Sequence, residues 1–144
     1  MGKKQALQEL IETVTHLRSP KGCPWDRKQT HKSLIEFLRQ ESRELEQAIK
    51  HGSWHDIEDE LGDLLLQILM HAQLAKEKGL FDIYDVAGSQ TLKLKRRHPH
   101  VFGEKRIKTA AQVLKVWQEL KDKERCLRKQ DLKRRKISKT VCPS

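Results

Sequence analysis

Gly52 divides two stretches of helical apolar period, and four carboxylates stand in mirror order about it. Glu44 and Glu60 each lie eight positions from the glycine; Glu41 and Asp63 each lie eleven away. If the two stretches are helices folded back on each other, the pairs come level. At about 1.5 Å rise per residue, the levels lie roughly 12 and 16 Å from the turn. Spacing of i, i+3 also puts Glu41 with Glu44, and Glu60 with Asp63, on one face of each helix. Four facing acids repel unless a cation lies between them. The pattern therefore asks for a helical hairpin carrying either a divalent metal or a solvated acidic face.

The rest of the chain also reads as helix. Leu7, Leu10, Ile11, Val14 and Leu17 give an amphipathic helix over residues 6–17. Two prolines and a glycine make residues 19–26 a loop. Thr30 is the expected N-cap of a second helix running to residue 50, and Gly52 is expected to end it in the left-handed conformation. Ser53 with Asp56 forms a capping-box start for a third helix, which Gly79 stops. Asp82 is an N-cap for a fourth helix over residues 83–97, broken at His98-Pro99-His100. Thr109 opens a last helix, with Val113, Val116, Trp117 and Leu120 on one stripe. Beyond Lys123 the apolar period fades and disorder is expected.

With 36% hydrophobic and 35% charged residues in 144, the chain suits one domain with a modest core, or one that buries more surface by oligomerising. Aromatics are few and β-branched residues do not cluster, so a sheet is not expected. The expected class is all-α, a bundle of about four to five helices. Its domain covers residues 1–123, followed by a flexible basic tail over 124–144. Net charge is +10, and residues 118–144 hold ten Lys/Arg against four acids. Such a tail can bind nucleic acid, but it lacks interleaved aromatics and is more often only solvated. The longest apolar stretch, residues 61–75, contains Asp63, Gln67, His71 and Gln73. It is too short and polar to span a bilayer. The first eight residues have no signal-peptide character. Cys23, Cys126 and Cys142 show no metal or Cys-x-x-Cys spacing and read as free structural cysteines. The expectation is a cytoplasmic protein without a membrane partner.

The solvated-face reading suits Glu41 and Glu44, which lie beside Arg39 and Arg43. It suits Asp63 less well, because Leu61, Leu64, Leu65 and Leu66 around it should be core. A buried carboxylate needs a partner, and Mg²⁺ takes several carboxylate oxygens readily. Glu46, Glu58 and Asp59 fall on other faces.

Several motifs occur in a telling order. Gly22-Cys23-Pro24-Trp25-Asp26, Gln29-Thr30-His31 and Ser33-Leu34 come first. Glu60-Leu61-Gly62-Asp63-Leu64-Leu65 and Arg96-Arg97-His98-Pro99-His100-Val101-Phe102 follow. Together they resemble the MazG family of nucleoside triphosphate pyrophosphohydrolases, over residues 11–121. The resemblance implies an all-α oligomer, a dimer or tetramer, built on a dimeric four-helix core. It implies hydrolysis of NTPs or dNTPs to the monophosphate and pyrophosphate, for nucleotide-pool house-cleaning, with Mg²⁺ or Mn²⁺ in its place.

The family's metal motif, Glu-Glu-x-x-Glu followed by Glu-x-x-Asp, maps onto Glu41, Glu44, Glu60 and Asp63. Gln40 stands where the first glutamate is usual. An amide cannot take a proton near neutral pH, which leaves a catalytically weak nucleic-acid-binding module as the alternative. Glu41 and Glu44 are the expected catalytic residues. By the same resemblance Lys93 and Arg97, at i, i+4, bind phosphate. Trp117 stacks on the base or sits in the core, and Trp25 lines the pocket or staples its loop. His98 and His100 read as structural, His31 as a first-turn residue, and Trp54 as core or interface.

Overall fold

The computed structural model describes residues 2–140, with side chains for Gly2 and residues 5–130. Among these residues it is all helix: α1 (Lys3–Leu17), α2 (Pro24–Lys28), α3 (Ile35–His51), α4 (Trp54–Glu77), α5 (Ile83–Arg97), α6 (Pro99–Phe102) and α7 (Ala110–Thr140). The five long helices correspond to the five apolar stripes. The two short ones fall where the sequence suggests a loop and a break, and both begin on a proline at the first helical position. That position needs no N–H and suits proline's fixed φ. α7 continues across Lys123, where the tail was expected to begin. Cys142 lies outside the described residues.

The chain divides into two compact units, residues 1–87 and 88–144, with the division inside α5. In the first unit α3 and α4 form the hairpin and α1 packs on α4. The core is small: Val14, Leu34, Leu69, Met70 and Leu74, with Leu10, Ile11, Phe37, Leu65, Leu66 and Ile83 packed against them.

The turn chemistry differs from expectation at two places. Gly52 has φ −85° and ψ 174°, so it is extended rather than left-handed. What requires glycine there is space: a Cβ would come 2.7 Å from the Ala48 carbonyl oxygen and 3.0 Å from its Cα. Gly52→Ala is therefore expected to destabilise the hairpin by about 1–3 kcal/mol, as overpacking does, measured by urea denaturation. The left-handed glycine is Gly79, φ 66°. Its N–H donates to the Lys76 carbonyl at 2.9 Å, and the Leu80 N–H donates to that of Ala75 at 3.1 Å, a Schellman closure of α4.

Thr30 caps a turn, not the helix itself. The Ser33 N–H donates to Thr30 Oγ1 at 3.1 Å and the Thr30 N–H donates to Ser33 Oγ at 2.9 Å. α3 begins one turn later, with Leu34 as its N-cap. The other caps form as the sequence suggests. Ser53 and Asp56 make a full capping box, and Asp82 accepts from the N–H groups of Tyr84 and Asp85 at 2.8 and 3.2 Å.

Arg18, just past α1, ties the loop down. Its side chain is 5% exposed and forks onto both Glu77 carboxylate oxygens at 2.7 Å. It also donates to the carbonyl oxygens of Asp26 and Gln29. Trp25 packs edge-on to Phe37, with ring centroids 5.5 Å apart.

One apolar stripe is left exposed among the described residues. Trp54, Leu61 and Ile68 recur every seven residues on α4 and are 86%, 51% and 44% exposed. Ile35 and Ile49 are exposed on α3. Trp54 is thus outside the core of this unit.

Candidate functional site

The hairpin brings the carboxylates together much as the mirror spacing suggests. Glu41 on α3 and Glu60 and Asp63 on α4 each offer an oxygen, and these lie within 4.8 Å of one another. Glu44 borders the cluster. One of its carboxylate oxygens accepts a hydrogen bond from Gln40 Nε2 at 3.1 Å. Gln40, where the resemblance puts a glutamate, is thus hydrogen-bonded to the acid one turn later.

The burial expected of Asp63 belongs instead to its neighbour one turn earlier. Asp63 is exposed, whereas Glu60 is half-buried and its Oε2 is enclosed without a hydrogen-bond partner. α4 is rotated so that Leu61 and Asp63 face outward and Glu60 faces α3. Burial, then the charges of Glu44 and Asp63, a hydrogen bond with Glu44 and the charge of Glu60 push the Glu41 carboxyl above its ordinary value. Burial, followed by Glu44, Asp63, Asp59 and Asp56, pushes Glu60 up likewise. Such a cluster resists full ionisation by itself, and a hard divalent cation would relieve it. Beside it runs an open groove lined by Glu44, Gln47, Ala48, His51, Gly52, Asp56, Asp59 and Glu60.

The second unit holds the expected phosphate and base residues. Lys93 is half-buried on α5. Arg97 is already engaged: its Nη2 donates to Glu124 Oε2 at 2.5 Å, and its guanidinium carbon lies 5.4 Å from the Trp117 ring centroid. Lys121 Nζ lies 4.8 Å from the same centroid. Glu124 and Lys121 follow Trp117 on one face of α7 at i+7 and i+4. That spacing is visible in the sequence, although Glu124 falls in the segment expected to be a flexible tail. The two arginine partners hold the Glu124 carboxyl down at about 2. Its stabilising contribution is present above an ordinary glutamate pKa. It is expected to be lost as pH falls from about 4.5 toward 2, read as a change in Trp117 fluorescence in a protein with Trp25 and Trp54 replaced by Phe.

The histidines divide. His98 Nδ1 hydrogen-bonds the Leu94 carbonyl oxygen at 2.7 Å, a structural role. His31 lies in the turn before α3, not in the helix, and its Nδ1 meets His71 Nδ1 at 2.8 Å. The near-parallel rings have centroids 5.1 Å apart. With that Nδ1 contact the rings meet edge to edge, one nitrogen donating to the other. Burial, then the His31 charge, holds the His71 pKa down.

Comparison with known proteins identifies the family. Residues 29–102 match the family described as MazG nucleotide pyrophosphohydrolase domain. A Thermotoga maritima protein named nucleoside triphosphate pyrophosphohydrolase/pyrophosphatase MazG is 46% identical over 118 residues, 82% of this chain and 45% of that protein. The nucleoside triphosphate pyrophosphohydrolase of Escherichia coli K12 is 38% identical over 125 residues, 86% of this chain and 48% of that protein. The chain thus spans about half the length of these relatives. The crystal structure of a mazG-related protein from Thermotoga maritima superposes with a TM-score of 0.66 at 30% identity. It covers 80% of this chain and 98% of that one.

Proposed function

The chain belongs to the MazG nucleotide pyrophosphohydrolase domain family, and from that membership we propose that it is an enzyme hydrolysing nucleoside triphosphates to the monophosphate and pyrophosphate. Water adds at the α-phosphorus and the bond to the bridging α–β oxygen breaks. Pyrophosphate leaves, and one proton is released. The observation that carries this reading is the convergence of Glu41, Glu60 and Asp63 with an enclosed, unpartnered oxygen on Glu60.

These residues fit a divalent cation by donor type and by their mutual distance, and they would hold Mg²⁺, or Mn²⁺ in its place. When bound, the ion supplies charge neutralisation for the phosphate oxygens and acidifies water. The protein's own groups do the rest. Glu44, steadied by Gln40, orients the attacking water and takes its hydrogen bond. Glu41 shares that task from inside the cluster. Gln40 itself can donate and accept but cannot carry the proton away. In the second unit Lys93 and Arg97 meet phosphate charge and Trp117 offers a face to the base; in the first, Trp25 is packed against Phe37.

The exposed Trp54, Leu61 and Ile68 stripe is the surface on which a second copy completes the hairpin core, as a dimer or tetramer. No helix among the described residues is long and apolar enough to cross a membrane. The protein's role, on this reading, is to clear nucleotides from the cytoplasmic pool. The ten Lys/Arg against four acids in residues 118–144 favour a second reading, a weakly catalytic module that binds nucleic acid.

The test is release of pyrophosphate across a panel of NTPs and dNTPs with Mg²⁺. Release that depends on Mg²⁺, and a melting temperature raised by Mg²⁺ alone, are the expected results. No release from any substrate overturns the enzyme reading. Salt-dependent RNA or DNA binding in its place establishes the second.

A further inference from the structure

Arg96 and Arg97 are consecutive on α5, so their side chains leave the helix roughly 100° apart. One carboxylate nonetheless gathers both. Arg96 Nε and Nη2 donate to Glu124 Oε1 at 2.9 and 2.6 Å, and Arg97 Nη2 donates to Oε2 at 2.5 Å. The Arg97 and Glu124 side chains are only 13% and 14% exposed, while that of Arg96 is 54% exposed. Arg97 Nε is enclosed without a partner. Glu124 is therefore the ionic contact that sets where the Arg97 guanidinium points. The guanidinium is in turn what lies against Trp117, with Lys121 at the same ring.

A purely structural ion pair tends to balance its charges. Here it does not. The pocket around the pair is lined by Arg97, Lys121, Glu124, Arg125 and Arg128, four cations to one acid. Such an excess beside an aromatic ring suits a phosphate chain attached to a base.

We propose that Glu124 is a positioning residue. By holding Arg96 and Arg97 on one carboxylate it fixes the Arg97 guanidinium beside Trp117, and so orients the cations of this pocket for the phosphate chain of a nucleoside triphosphate. The proposal rests on the pyrophosphohydrolase reading and deepens it. Its contacts are to charge already present on the substrate before reaction. Losing them weakens ground and transition states alike and appears in KM, not in kcat.

Glu124→Gln is expected to raise KM for the nucleotide by about tenfold and change kcat by less than about threefold. Glu124→Asp, which keeps the charge, restores most of the affinity. Because Glu124 acts through Arg97, Glu124→Gln added to Arg97→Lys raises KM little beyond Arg97→Lys alone. A KM within about twofold of wild type in Glu124→Gln, or fully additive effects, overturns the proposal. Should Glu124→Gln fail to fold, Arg96→Gln loosens the same carboxylate from its exposed arm. A rise in KM of about threefold is then expected, and no rise overturns the proposal.

If the wild type releases no pyrophosphate, the enzyme reading fails separately. The positioning role is then read from calorimetric binding of a non-hydrolysable NTP without Mg²⁺. Binding weakened about fivefold or more in Glu124→Gln, or in Arg96→Gln if the former does not fold, supports it. Equal binding, or none by the wild type, overturns it.

Discussion

Glu60→Gln lowers pyrophosphate release by about 10³-fold and at the same time raises the melting temperature of the metal-free protein. The first effect follows from the proposed metal centre. A bound divalent ion supplies several kcal/mol of charge stabilisation, and each ~1.4 kcal/mol is a factor of ten in rate. The second follows from electrostatics without the ion. Glu60 is half-buried beside Glu41 and Asp63, with one oxygen unpartnered, and its pKa stands above the ordinary value. A carboxyl whose folded-state pKa is raised costs stability once it ionises, so the cost grows as pH rises through that pKa. Glutamine has the shape of the protonated acid and carries no charge, so the metal-free variant escapes that cost.

Adding Mg²⁺ reverses the order, because the wild type gains more from binding than a variant left with Glu41 and Asp63. Thermal melts of both proteins with EDTA and with Mg²⁺, beside a pyrophosphate assay, check all three statements. Undiminished release in Glu60→Gln removes Glu60 from the metal centre. A lower metal-free melting temperature in the variant shows that Glu60 supports the hairpin instead of straining it.

Arg18→Ala destabilises the first unit by about 2 kcal/mol, because it takes the shared donor from the partly exposed Glu77 carboxylate and from two backbone carbonyl oxygens. On a domain of this size that lowers the melting temperature by about 10 °C. The side chain is 5% exposed and is the shared donor for both oxygens of Glu77 and the carbonyl oxygens of Asp26 and Gln29. Its removal frees the loop that carries α2 from the end of α4. Arg18→Lys recovers only part of the loss, since an ammonium cannot reproduce the two-pronged contact. Urea titrations of the wild type, Arg18→Ala, Glu77→Gln and the double variant measure the coupling. A double variant no worse than Arg18→Ala is expected. A loss under about 1 kcal/mol in Arg18→Ala would mean that the fork behaves as a solvated surface pair.

Helix positions were legible where the cause is local. Ser53 and Asp56 are three residues apart and cap α4 by themselves; Asp82 and Thr109 open α5 and α7 in the same way. α2 is not legible in the sequence, because Pro24 signals a loop as readily as the first position of a helix. Contacts between distant residues were not legible. His31 meets His71 across 40 positions, Arg97 meets Glu124 across 27, and Arg18 meets Glu77 across 59. Spacing cannot pair residues whose proximity depends on how separate helices pack. The main partner of Arg97, Glu124, is therefore not legible from spacing, since it lies beyond the last clear apolar stripe.

The acids about Gly52 mark the boundary between the two kinds of knowledge. Helical rise and the i, i+3 repeat are properties of a single helix. The sequence alone therefore determined that the chain is all-α, that it turns at Gly52, and that Glu41 comes level with Asp63 once the arms fold back. The rotation of α4 about its own axis is set by packing against α1 and α3. Only the tertiary structure decided that Glu60 turns inward with an unpartnered oxygen while Asp63 stays at the surface.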